Sequence, residues 1–184
     1  MLIMNITTEI VLGTNLKQED LDLVNEYRVI RLGRNRIWDH KINNQFQDRL
    51  FFLVRDDNKL VSFGTLRSLK VMVDKREVEI LGMQAIISII QGKGYGKILI
   101  NKMVEYAKES KQTIVGFCEP KNAEFYKKSG MEVFTGKNQN FIHVSENGNE
   151  YTEDGDVIYY SNNSQQIKTT LEENNKITHK FPHW

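Results

Sequence analysis

The chain has 184 residues, 25 Lys and Arg against 24 Asp and Glu, a formal charge of +1 and one cysteine, Cys118. Near-neutral charge argues against the broad basic field of a nucleic-acid binder, and a lone cysteine excludes an internal disulfide framework and fits a reducing, cytoplasmic setting. No apolar run reaches the length of a bilayer span, and residues 1–9 lack the basic start and apolar stretch of a secretion signal.

In chain order, a first strand is expected over residues 5–12. Leu21, Val24, Tyr27 and Val29 or Ile30 recur at near-helical spacing, which predicts a helix over 17–32 capped by Thr14 or Asn15. A second helix is expected over 39–49. Strands over 51–54 and 60–69 flank the Asp-Asp-Asn-Lys turn at 56–59. Residues 80–90 form an apolar run rich in β-branched side chains, read as a buried strand. Beyond the glycines at 92–96, Leu99, Met103, Tyr106 and Ala107 mark one face of a helix, with Lys102, Glu105 and Lys108 on the other. A strand at 112–118 precedes a short helix at 122–131 that Gly130 stops. Further strands are expected at 132–135, 141–144 and 157–160. The order predicts an α/β fold, a single domain over residues 1–160 with a mixed central sheet flanked by helices and antiparallel first strands. Residues 161–184 read as a polar tail that returns to the acceptor side.

The most informative stretch is Gln91-Gly92-Lys93-Gly94-Tyr95-Gly96-Lys97. Strand, glycine turn, helix is a recipe for an anion site, because free N–H groups and the helix dipole face the ligand while glycine lets the backbone approach it. Spacing narrows the ligand. A Walker A loop needs four residues between its first glycine and Gly-Lys, then Ser or Thr; here there are three, and Ile98 follows. The dinucleotide fingerprint needs a third glycine where Lys97 stands. Gln91, Gly94 and Gly96 do fit Gln/Arg-x-x-Gly-x-Gly/Ala.

That pattern resembles the pyrophosphate loop of the GCN5-related N-acetyltransferases, the GNAT superfamily. Phe125, Tyr126 and Gly130 resemble the family's second signature, with Met131 replacing the usual aromatic. The likeness covers roughly residues 50–135. It implies acetyl-coenzyme A as acyl donor, cradled by the backbone of Ile86, Ile87 and Ser88 and of Gln91, Gly92, Lys93, Gly94, Tyr95, Gly96 and Lys97. It further implies Tyr126 as acid or hydrogen-bond donor near the sulfur, and the chemistry calls for no metal. The partner is then a small amine, with no nucleic acid and no membrane, and a homodimer stays open.

Deprotonating a lysine-like amine at pH 7 takes roughly 4–5 kcal/mol, an α-amino-like one about 1, so a modest base suffices for the latter. Glu119, after the strand bearing Cys118, is the candidate, as base or as substrate ligand; pairing with Lys121 is its alternative. Glu146, Glu150, Glu153, Asp154 and Asp156 crowd one stretch without Lys or Arg. It reads either as a solvated loop or as the lining for a cationic acceptor. The Asp-Gly hairpin at 152–159 and the terminal Trp184 resemble aminoglycoside 2′-N-acetyltransferases, which implies Asp154, Asp39 and Trp184 as acceptor ligands and an aminoglycoside or polyamine as acceptor. Relatives carry a glutamate where this chain has Gly82 or Met83. A non-catalytic acyl-coenzyme A sensor of the same fold, or a peptide acetyltransferase, stays open beside this reading.

Overall fold

The computed structural model describes residues 5–34, 37–40, 46–161 and 165–180. They form two compact units, Met1–Arg67 with Gln84–Met103, and Ser68–Met83 with Val104–Trp184. The fold is α/β with a mixed sheet. Two long strands, β3 (Lys59–Val73) and β4 (Arg76–Ser88), contribute to both units.

In the first unit, β1 (Ile6–Leu12) pairs antiparallel with β2 (Leu50–Asp56), and β2 antiparallel with β3. The β2–β3 turn has φ of 47° and 66° at Asp57 and Asn58, the mirror-image geometry that matches strand twist. Helix α1 (Gln18–Leu32) starts without the side-chain cap expected at Thr14 or Asn15; residues 13–15 form a tight turn instead. Glu19 and Asp20 in its first turn favour the dipole, and Gly33 ends it at φ 62°. Arg55 clasps Asp20 through two nitrogens at 3.0 and 2.6 Å, a paired geometry that fixes α1 on β2. Leu21 and Val24 then meet Phe51, Leu53, Phe63 and Ile87 in one core. Helix α2 (Tyr95–Ser110) lies close on β3 at Gly64, where an added Cβ would sit 2.5 Å from Ile86 Cδ1 and 2.8 Å from Met103 Cε.

The helix expected over 39–49 is not seen at its described ends. Asp39 and His40 lie in a bridge and a turn, and residues 46–49 form a turn and bend; residues 41–45 lie outside the described residues. Here the aromatic side chains override helical spacing, because Phe46 stacks on Trp38 with centroids 5.8 Å apart and Trp38 stands edge-on to Phe51.

The second unit holds β5 (Ile114–Cys118), helix α3 (Ala123–Lys128), β6 (Glu132–Phe134), β7 (Phe141–Val144), β8 (Glu150–Thr152), β9 (Asp156–Tyr160), helix α4 (Gln166–Glu172) and β10 (Ile177–His179). Strand order is β6-β9-β5-β4-β3-β10-β7-β8. The β4–β5 and β10–β7 pairs are parallel. A two-residue turn at Asp74 and Lys75, both at positive φ, joins β3 to β4; without glycine it gave no sequence signal. Inside the polar stretch 161–184, α4 places Ile167 and Leu171 one turn apart and β10 adds Ile177, all three at 0% exposure in a core with Val71, Ile80 and Phe141. Each contributes roughly 1.5–3 kcal/mol. Among the described residues no helix is long and apolar enough to cross a membrane.

Candidate functional site

In the first unit, β4 carries a left-handed residue, Ala85 at φ 52°. A non-glycine residue in that conformation costs about 1–2 kcal/mol, and such strain concentrates at functional backbone. Beyond it, Ser62 Oγ donates to the Ile87 carbonyl at 2.9 Å and lies 3.3 Å from Ser88 Oγ. The Ile89 N–H donates to Val61 at 2.9 Å. Gln91, Gly92, Lys93 and Gly94 are exposed. Gly92 and Gly94 take φ of 75° and 80°, and nothing lies within 4 Å of where their side chains would begin. The Gly94 carbonyl accepts from the N–H of Lys97 at 3.0 Å and of Ile98 at 3.2 Å, so α2 opens there. The N–H groups of Tyr95 and Gly96, at the head of the helix, precede its first hydrogen bond and have no acceptor inside the helix. Open glycines, first-turn N–H groups and the exposed Lys93 and Lys97 together suit a diphosphate. Tyr95 alone in the loop is buried, and its hydroxyl donates to the Asp56 carboxylate.

Trp38 precedes Asp39 in the same unit and is fixed by Asn25. Its N–H donates to Asn25 Oδ1 at 2.9 Å, and its carbonyl accepts from Asn25 Nδ2 at 2.7 Å. The Arg28 guanidinium lies 3.5 Å above the indole, pushed down to about 10 by burial and then by Arg49 and Arg34. Asp39 therefore follows a strongly cationic segment.

In the second unit, β5 brings Cys118 beside Tyr126 of α3. Both are buried. Burial, then Asp156, pushes the Cys118 thiol up to about 11; burial, then Cys118, raises the Tyr126 phenol far above its ordinary value. Both stay protonated at neutral pH, which removes Cys118 as a nucleophile. Gly130, at φ 85°, follows α3, and the Met131 N–H closes back on the Tyr126 carbonyl at 3.1 Å. The hairpin glycine Gly155 (φ 90°) is pressed on β5: an added Cβ would lie 2.4 Å from the Cys118 carbonyl oxygen. Next to it, buried Asp156 accepts from the Gly136 N–H at 3.1 Å. Glu119 is exposed and paired with Lys121 at 2.5 Å, and Asp154 is exposed. Of the acidic run, Glu150 pairs with Lys176 at 3.3 Å. Trp184 lies outside the described residues. Among those described, no group of three His, Cys, Asp or Glu is arranged to hold a metal.

Sequence reasoning missed Ala85, Asp56 and Asp156. Positive φ at alanine leaves no sequence trace. Asp56 read only as a turn residue, and Asp156 only as one more member of an acidic run.

The description "Acetyltransferase (GNAT) family" matches residues 21–131. No curated protein sequence matches the chain. Among solved structures, Escherichia coli ElaA superposes with a TM-score of 0.56 at 16% identity, covering 84% of this chain and 97% of that one. An acyl-CoA N-acyltransferase from Pseudomonas aeruginosa gives 0.54 at 14%, covering 83% and 97%. N-acetylglutamate synthase from Neisseria gonorrhoeae, complexed with coenzyme A and L-arginine, gives 0.57 at 11%, covering 85% of this chain and 34% of that one. At these identities the likeness is one of fold.

Proposed function

This chain belongs to the acetyltransferase (GNAT) family, and on that premise we propose that it moves an acetyl group from acetyl-coenzyme A to a primary amine of a small, cationic acceptor. Acyl transfer is the chemistry of that family, and the donor supplies an acyl group activated as a thioester. The observation that carries the reading is the loop before α2, where two left-handed glycines with empty surroundings precede first-turn N–H groups. In this proposal the backbone of Ile86, Ile87 and Ser88 and of residues 91–97 holds the donor, and Lys93 and Lys97 add charge.

Tyr126 serves as a hydrogen-bond donor to the departing sulfur. Burial raises its phenol, so full proton transfer to a thiolate is uphill by about 1.4 kcal/mol per unit of mismatch, whereas donation is not. Glu119, directly or through water, takes the amine proton. Asp154, Asp39 and Trp184 are the acceptor ligands. Support for a cationic acceptor comes from the second unit, where Asp154 and Glu119 flank the contact of Gly155 on Cys118. The basic surroundings of Trp38 make Asp154 the stronger candidate of the two aspartates.

Thiol release from acetyl-coenzyme A, measured against aminoglycosides, polyamines, amino acids and peptides, tests this. Turnover with an aminosugar or polyamine is expected. Turnover confined to peptides would move the acceptor assignment, and donor binding with no turnover on any amine would end the transferase reading.

A further inference from the structure

We propose that Asp56 is a positioning residue for the donor loop, acting through Tyr95; this rests on the loop being the diphosphate cradle. Gly92 and Gly94 are open to solvent and unrestrained by side chains. Such a loop loses much conformational freedom when a ligand orders it, and affinity rises when that ordering is done in advance. Tyr95 is the one buried residue between Gln91 and Lys97, at 4% exposure. Its hydroxyl reaches an acid 39 positions earlier in the chain. The phenol, raised by that carboxylate, remains the donor.

Asp56 is itself well fixed. It is the last residue of β2, paired with Lys59 across the two-residue turn. Its neighbour Arg55 is bonded to Asp20 of α1 and lies 3.5 Å from Glu9 of β1. Two strands and a helix thus hold the carboxylate, and the carboxylate holds the loop by a charge-assisted hydrogen bond. A negative charge near an anion cradle opposes binding. Its presence there is explained by the tyrosine it anchors.

Coenzyme A binding by calorimetry, on the full chain, tests the idea with Tyr95→Phe, Asp56→Ala, their combination and Asp56→Asn. Tyr95→Phe and Asp56→Ala should each weaken binding about five- to tenfold, and the double variant should be no weaker than either single one. Asp56→Asn keeps an oxygen that accepts from the phenol and should stay within twofold of wild type. Additive losses, or wild-type affinity in Tyr95→Phe, would overturn the positioning role; should Tyr95→Phe not fold, the two Asp56 variants decide it. Wild-type protein that fails to bind coenzyme A would overturn the donor reading itself, and this proposal with it.

Discussion

The proposed donor loop and the hairpin before β9 both turn on left-handed glycines, yet the two regions use them for opposite ends. At Gly92 and Gly94 the space beside the α-carbon is empty. At Gly155 it is filled by the Cys118 carbonyl, 2.4 Å from where a side chain would begin. In the first region the missing side chain leaves room for something outside the chain. In the second it lets two backbone segments of the protein touch. Conformation alone does not separate an open glycine from a packing glycine; the neighbours do.

Alanine substitution breaks this comparison most sharply. Gly155→Ala meets both the left-handed strain of about 1–2 kcal/mol and overpacking of about 1–3 kcal/mol. Denaturant unfolding should show a loss of about 2–5 kcal/mol, whereas Gly94→Ala should lose only the strain. Gly94→Glu should weaken coenzyme A binding by about a hundredfold or more in calorimetry, since a carboxylate would occupy and repel the phosphate niche, with stability no lower than in Gly94→Ala. Wild-type affinity there would remove the loop from the donor site. Tyr126→Phe should slow thiol release about tenfold and leave coenzyme A affinity within twofold, separating the proposed role of Tyr126 from that of the proposed cradle.

A further effect concerns pH. Folding raises the Cys118 thiol from near 9 to about 11, so in that interval the folded chain keeps a proton that the unfolded chain has lost. The stabilisation is full below the ordinary value and is lost as pH rises through about 11. Stability relative to Cys118→Ala should therefore fall between pH 9 and 11. Alkylation of Cys118 at pH 7.5 should run roughly two orders of magnitude slower than for a free cysteine. Reaction at the free-thiol rate would place Cys118 in a different environment.

Legibility followed the range of the interactions. The strand at 80–90, the loop and α2 were readable because apolar spacing and glycine report local geometry. The turn at Asp74 and Lys75 was not, since it lacks glycine and a single aspartate is a weak turn signal. The helix expected over 39–49 is absent at its described ends, where stacking of Trp38, Phe46 and Phe51 dominates. In the stretch 161–184, Ile167, Leu171 and Ile177 are too few among polar residues to announce α4 and β10. At the candidate site, the glycine turn into α2 was legible by its spacing. Glu119 pairs with Lys121, a pairing that its sequence neighbourhood already allowed.

By itself the sequence determined the α/β class, the strand at 80–90 and the glycine turn that leads into α2, because periodicity and glycine dihedrals act over a few residues. Tertiary structure alone decided that Tyr95 ends on Asp56, that Gly155 lies on Cys118 and that the Tyr126 phenol is buried. Those contacts join residues far apart in the chain, and only the packing of strands and helices brings them together.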